Sequence, residues 1–328
     1  MTVNIQKDSS INALKAIAAI LITNSHMGPL YTRFDSLATG AAIGNSLFFF
    51  VSGFTLAASC NRDFTDWYQR RLSRILPPIF AWAIISALIW GGKYNVVLQS
   101  MDGFYWFIPC ILAYYVIFHF LMKRLAGKMP VILIAATVAV FGLYFILGGD
   151  RLNDSNIWTA WKHIYGKLVY FLFMMFGAVI RQLASARQGR KNPFAMMACF
   201  IICTVVFYGI LEVAKRRPDF IWIEAVTTIP MFGILYSLYF FFNAVSPSKA
   251  YNSRPCQFFI NLTGGCCLEI YLVQFALFTT GMNHLFPLNI VLMLLIIIAA
   301  AYLLRIASRF IGQTFSGTPY SFKKMTEL

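Results

Sequence analysis

Charge is scarce in this sequence, and acidic charge is scarcest. Only 12% of its 328 residues are charged, with 12 Asp or Glu against 27 Lys or Arg; a soluble domain carries about 25%. No polar stretch is long enough to build a sizeable soluble domain. What fills the chain is apolar: 59% hydrophobic residues and a mean hydropathy of +0.68. These residues gather in many runs of bilayer-spanning length, which places the chain in a membrane as an all-α, polytopic helical bundle.

Other absences narrow the field. The net charge of +15 has no long basic tract behind it. Its Lys and Arg sit in short clusters between apolar runs, as in loops that hold helix ends in the cytoplasm, so nucleic acid is excluded as a partner. The seven cysteines (60, 110, 199, 203, 256, 266 and 267) lie in or beside apolar runs. Their spacing matches neither a disulfide framework nor a zinc site, and no metal is expected. The first apolar run lacks a basic flank followed by a small-residue cleavage site, so it is expected to remain as the first span. No repeat relates the two halves, which counts against a transporter built from inverted repeats.

Ten spans are expected, near 11–28, 40–60, 77–91, 104–122, 130–148, 164–181, 195–214, 225–243, 259–281 and 286–310. A short cytoplasmic tail over 311–328 completes a single domain over 1–328. With both termini inside, eight basic residues fall outside: Arg33, Lys93, Arg151, Lys162, Lys167, Lys215, Arg216 and Arg217. Eighteen fall inside, among them Lys7, Arg187, Arg190, Arg305 and Arg309, which favours this orientation.

The first span, "ALKAIAAILITNSH" over 13–26, carries Lys15 near one end and His26 at the other. Eleven positions are about 20° past three full turns and about 16.5 Å of rise, so both side chains leave one helical face at two depths. Thr23, Asn24 and Ser25 make the His26 end polar enough to line a wet cavity. Lys15 snorkelling to the inner interface, with His26 capping an outer end, is one reading. The other puts both on an internal cavity, with His26 as an acid/base group. His119, His163 and His284 fall at span ends or in loops and read as interfacial.

Two further segments follow. "GNSLFFFVSGFTLAAS" over 44–59 sets Gly44, Ser52 and Gly53 in an aromatic span; small residues there permit close helix packing, and Ser52 either bonds its own backbone or lines a cavity. "WYQRRLSRILPP" over 67–78 places Arg70 and Arg74 on one helical face beside Arg71, with Pro77-Pro78 opening the next span. These arginines fit the inner surface and its anionic lipids, or a phosphorylated ligand gripped bidentately.

Taken in order, these segments resemble the acyltransferase family 3 of integral membrane O-acyltransferases. The family's basic residue, ten residues, then His in the first span is matched by Lys15 and His26. Its "FFxxSGF" is matched by "FFFVSGF" at 48–54, its "RRxxRIxPP" by "RRLSRILPP" at 70–78, and its "WF" by Trp106-Phe107. There are departures. Lysine stands where arginine is commoner, and "CLEIYLVQ" at 267–274 looks like the family's "SYxxYLxH" with Cys267 for Ser and Gln274 for His. The role of that second histidine in relatives is therefore not carried over.

The resemblance implies transfer of a short acyl group, acetyl foremost, from cytoplasmic acyl-CoA as co-substrate. The acceptor would be a hydroxyl on a surface glycan, lipid-linked sugar or related molecule. No permanently bound cofactor is expected, membrane lipids are the surroundings, and a bacterial inner membrane is the expected location. On this reading Arg70, Arg71 and Arg74 hold donor phosphates at the inner face, and Lys15 lies further along the donor's path. His26 acts as general base or as acyl-accepting nucleophile. Asn24, Ser52, Tyr105, Trp106 and Glu269 are candidate cavity-lining residues; Lys15 or an arginine is the expected partner of Glu269. A polytopic transporter or flippase for a glycan or lipid precursor is the alternative reading.

Overall fold

The structure, a computed structural model, describes residues 9–91, 93–94, 105–147, 157–186, 191–316 and 319–327. Lys7, Arg151, Arg187 and Arg190 and the expected span ends at 104 and 148 lie outside them, as do the side chains of Lys162 and His163.

Helix is the sole regular structure among the described residues. In chain order the helices are α1 (Ser9–Ser25), α2 (Ala41–Leu56), α3 (Phe64–Trp90), α4 (Phe107–Leu125), α5 (Met129–Leu147) and α6 (Ile157–Ala186). They continue as α7 (Pro193–Arg216), α8 (Thr228–Val245), α9 (Arg254–Gly265), α10 (Cys267–Leu277), α11 (Leu288–Ser316) and the short α12 (Phe322–Thr326). Among the described residues, seven helical stretches are long and apolar enough to cross a membrane, and eight if the bent pair α9–α10 counts as one span. Along α7, Phe194, Ile202 and Val205 are exposed. Such an open apolar face suits lipid and not water.

Two helices depart from their expected course. Pro77 and Pro78 do not open a helix; they sit inside α3, which starts at Phe64. The Asp63 side chain caps that start by accepting from Thr65 N at 3.1 Å, a stronger start signal than the prolines. The prolines leave the Ser73 and Arg74 carbonyls without their usual donors, yet the helix runs unbroken through the basic stretch. The expected helix over 259–281 is instead two, α9 and α10, meeting at 74°.

The chain divides into two compact units, each drawn from three stretches of sequence: Met1–Leu14, Asn45–Asn61 and Ile117–Tyr251 for one, Lys15–Gly44, Arg62–Val116 and Asn252–Leu328 for the other. The first unit is built on an aromatic core. Phe49 stacks on Tyr170, Phe54 meets Tyr239, and Phe173 and Phe176 both meet Phe232. There α2 crosses α6 at backbone contact, since a Cβ on Gly53 would stand 1.7 Å from the Met174 carbonyl oxygen and one on Gly177 2.0 Å from that of Phe50. The close-packing role expected of Gly53 is thus realised.

In the second unit α3 packs against α10 and α11. The buried Tyr105 ties them together: its hydroxyl donates to the Leu272 carbonyl and accepts from Trp82 Nε1, both at 2.9 Å.

Candidate active site

Nine of the ten sequence-predicted site residues fall in the second unit; Ser52 falls in the first. Lys15 is half-buried on α1, within electrostatic reach of the Cys267 thiol at the start of α10. His26 follows the last helical residue and is exposed, its ring set edge-on to Phe275 near the end of α10 at 4.7 Å. The His26–Phe275 contact brings the end of α1 to the end of α10.

The chain beyond His26 is fastened by amides. Asn24 Nδ2 donates to the carbonyls of Leu37 and Thr39 at 2.8 and 2.9 Å, and its Oδ1 accepts from the Tyr31 hydroxyl. Asn283 and Asn289 donate to the carbonyls of Pro29 and Leu30, each at 2.9 Å. Asn24 thus shapes the loop that follows His26. Asn283 and Asn289 were missed in the sequence, since only the fold brings them beside residues 29–30.

Tyr105 is fully buried with its hydroxyl engaged, so it braces α10 and presents no face for a sugar. Its ring stands edge-on to Phe275 at 6.2 Å, which fixes the surface under His26. Trp106 is half-buried beside Phe107. Ser52 precedes the Gly53 crossing, and its carbonyl accepts from the Thr55 hydroxyl at 3.1 Å.

The three arginines of α3 divide. Arg70 and Arg74 are exposed, whereas Arg71 is half-buried with its guanidinium 5.4 Å from the ring centre of Trp67. That indole is itself buried against Tyr115. Arg71 is therefore held by a cation–π contact, and its two neighbours remain open to an anion.

Glu269 is buried on α10, and the cations acting on it are Arg305 and Arg309 of α11. Lys15 is not among them. Arg305 Nη1 donates to the Gly265 carbonyl at the α9–α10 break and lies 3.9 Å from Cys266 Sγ. Arg309 Nη1 gathers the carbonyls of Lys324, Met325 and Glu327 at α12. By sequence both arginines read as topological charge. Their i, i+4 spacing on an apolar helix, opposite an unmatched Glu, was the available signal.

Of the remaining histidines, His119 is fully buried within the protein, and His284 lies exposed in a 3-10 turn, in keeping with a loop position. The first unit also holds an open cleft of about 510 Å³, lined by Ala57, Cys60, Met122, Arg181, Gln182 and Ser185 among others. It contains none of the predicted site residues.

A helical membrane protein with a lysine in its first helix, a histidine just past that helix's end and an arginine at the break of a bent span has the outline of an enzyme embedded in lipid. The chain belongs to the acyltransferase family 3: the family's profile, described as an acyltransferase domain, matches residues 8–306. The protein is an acyltransferase. Comparison with curated proteins and with solved structures finds no match.

Proposed function

We propose that this acyltransferase moves an acetyl group from cytoplasmic acetyl-CoA to a hydroxyl of a surface glycan or lipid-linked sugar, with His26 as general base. The observation that carries this reading is the exposed His26 ring set against Phe275 of α10, on the chain whose first helix also bears the half-buried Lys15. Donor phosphates meet the open Arg70 and Arg74, Arg71 holding the helix by its contact with Trp67. Lys15 stands between them and His26 along the donor's path. The imidazole takes the acceptor hydroxyl's proton as the oxygen attacks the thioester carbonyl. The C–S bond breaks, and the thiolate leaves to be protonated.

Ten spans with both termini inside accommodate this route in a single domain. The apolar stretch Phe107–Ile146 has 40 residues. Straight, it would be about 60 Å long against a hydrocarbon core of about 30 Å, and Ala126–Lys128 breaks it into α4 and α5. Adding α1 and the bent α9–α10 supports ten. The cations Lys15, Arg305 and Arg309 near the start of α10 support an inward-facing end, and a bacterial plasma membrane fits a donor inside and an acceptor outside.

Replacing His26 with Ala and following radiolabelled acetate from acetyl-CoA into cell-surface glycan tests the reading. Transfer should fall by at least about 100-fold at unchanged protein abundance; undiminished labelling overturns it.

A further inference from the structure

Polar groups buried without a partner are expensive, and each one in a folded protein calls for an explanation. Beside His26 there are two. Gln274 on α10 is fully buried with both Oε1 and Nε2 lacking a hydrogen bond, and Thr23 on α1 is fully buried with Oγ1 in the same condition.

Their positions are linked. The residue after Gln274, Phe275, meets the His26 ring at 4.7 Å, and Thr23 lies three residues before His26, about 4.5 Å along the chain axis. Both unpartnered side chains therefore fall within a turn of that contact, one on each of the two helices.

We propose that Gln274 and Thr23 form the grip for an amide of the donor's thioester-bearing arm. A carboxamide offers one donor and one acceptor group, which matches another amide at two points, and the threonine hydroxyl supplies a third bond. The proposal rests on acyl-CoA being the donor. Within acyl-CoA only the pantetheine arm carries amides, and its nearest amide nitrogen stands three bonds from the sulfur. With the thioester at the imidazole, that amide reaches back about one helical turn, to the level of the two side chains. The grip sets the depth at which the thioester stops.

The test measures equilibrium binding of radiolabelled acetyl-CoA to the full chain in lipid nanodiscs, with adenosine 3′,5′-bisphosphate, which has the phosphates but no amide arm, as second probe. Gln274→Leu removes the buried amide for an apolar group of similar size, a change that folded cores tolerate. It should weaken acetyl-CoA binding about tenfold, and Thr23→Val about threefold, as the loss of one or two hydrogen bonds dictates. Binding of the bisphosphate should not change. Acetyl-CoA bound equally well by both variants and the parent overturns the grip while leaving the donor assignment standing. Equal weakening of both probes also overturns it, because the residues then act on the fold. No binding of acetyl-CoA by the parent protein overturns the donor reading and the grip together.

Discussion

Asn24 commits its whole amide to one loop. Two carbonyls and a tyrosine hydroxyl converge on it, so Asn24→Ala would strand the carbonyls of Leu37 and Thr39. Each lost bond is worth about 1 kcal/mol, and the variant should unfold at lower temperature by several degrees. Proteolysis confined to residues 28–40 checks the local effect; a protease pattern like that of the parent would show that the loop holds itself. His26 makes a second statement at this scale. A protonated imidazole has no lone pair for the acceptor's proton, so the transfer rate should fall as pH is lowered through the histidine range, measured at saturating acetyl-CoA. A flat acid limb would remove the general-base role.

Helices impose their own demands. The α2–α6 crossing leaves no room for a methyl at Gly53 or Gly177. Gly53→Val must drive the helices apart, and a loss above about 4 kcal/mol is expected of such overpacking at backbone contact. Size-exclusion profiles in detergent would report it as aggregation, and a monodisperse variant would contradict the crossing. At the α9–α10 break, Arg305→Met strands the Gly265 carbonyl and removes a cation from buried Glu269. Removing one partner of a buried charged set costs about 3–5 kcal/mol. Adding Glu269→Gln should recover part of that loss, because the stranded charge goes with it; thermal melts of single and double variants give the answer.

These elements also show what a sequence discloses. Lys15 and His26 stood out because helical periodicity alone relates them, although α1 ends at Ser25, one residue short of His26; the packing role of Gly53 was legible because small residues in apolar helices have few uses. Pro77-Pro78 misled, since proline marks helix starts in water but is tolerated inside membrane helices. Tyr105 read as a cavity-lining residue because its partner, the Leu272 carbonyl, is distant in sequence. Arg305 and Arg309 were hidden by the positive-inside pattern, which assigns every inner cation the same duty.

At the scale of the whole molecule, orientation is the outstanding property, and it has a direct assay. With both termini inside, a cysteine placed at Thr32 in an otherwise cysteine-free chain reacts with an impermeant maleimide on intact cells. One placed at Asn61 reacts only after permeabilisation. The reverse pattern would invert the protein and move His26 to the cytoplasmic side.

The second unit is discontinuous: its last stretch begins at Asn252. During synthesis, Lys15 and His26 enter the membrane long before α10 exists. For most of translation His26 lacks its Phe275 neighbour, and the late arrival of α10 and α11 completes the second unit. Chains interrupted before residue 252 therefore insert both ionisable groups without their later neighbours, and quality-control proteases that survey the bilayer would meet an exposed cation in lipid.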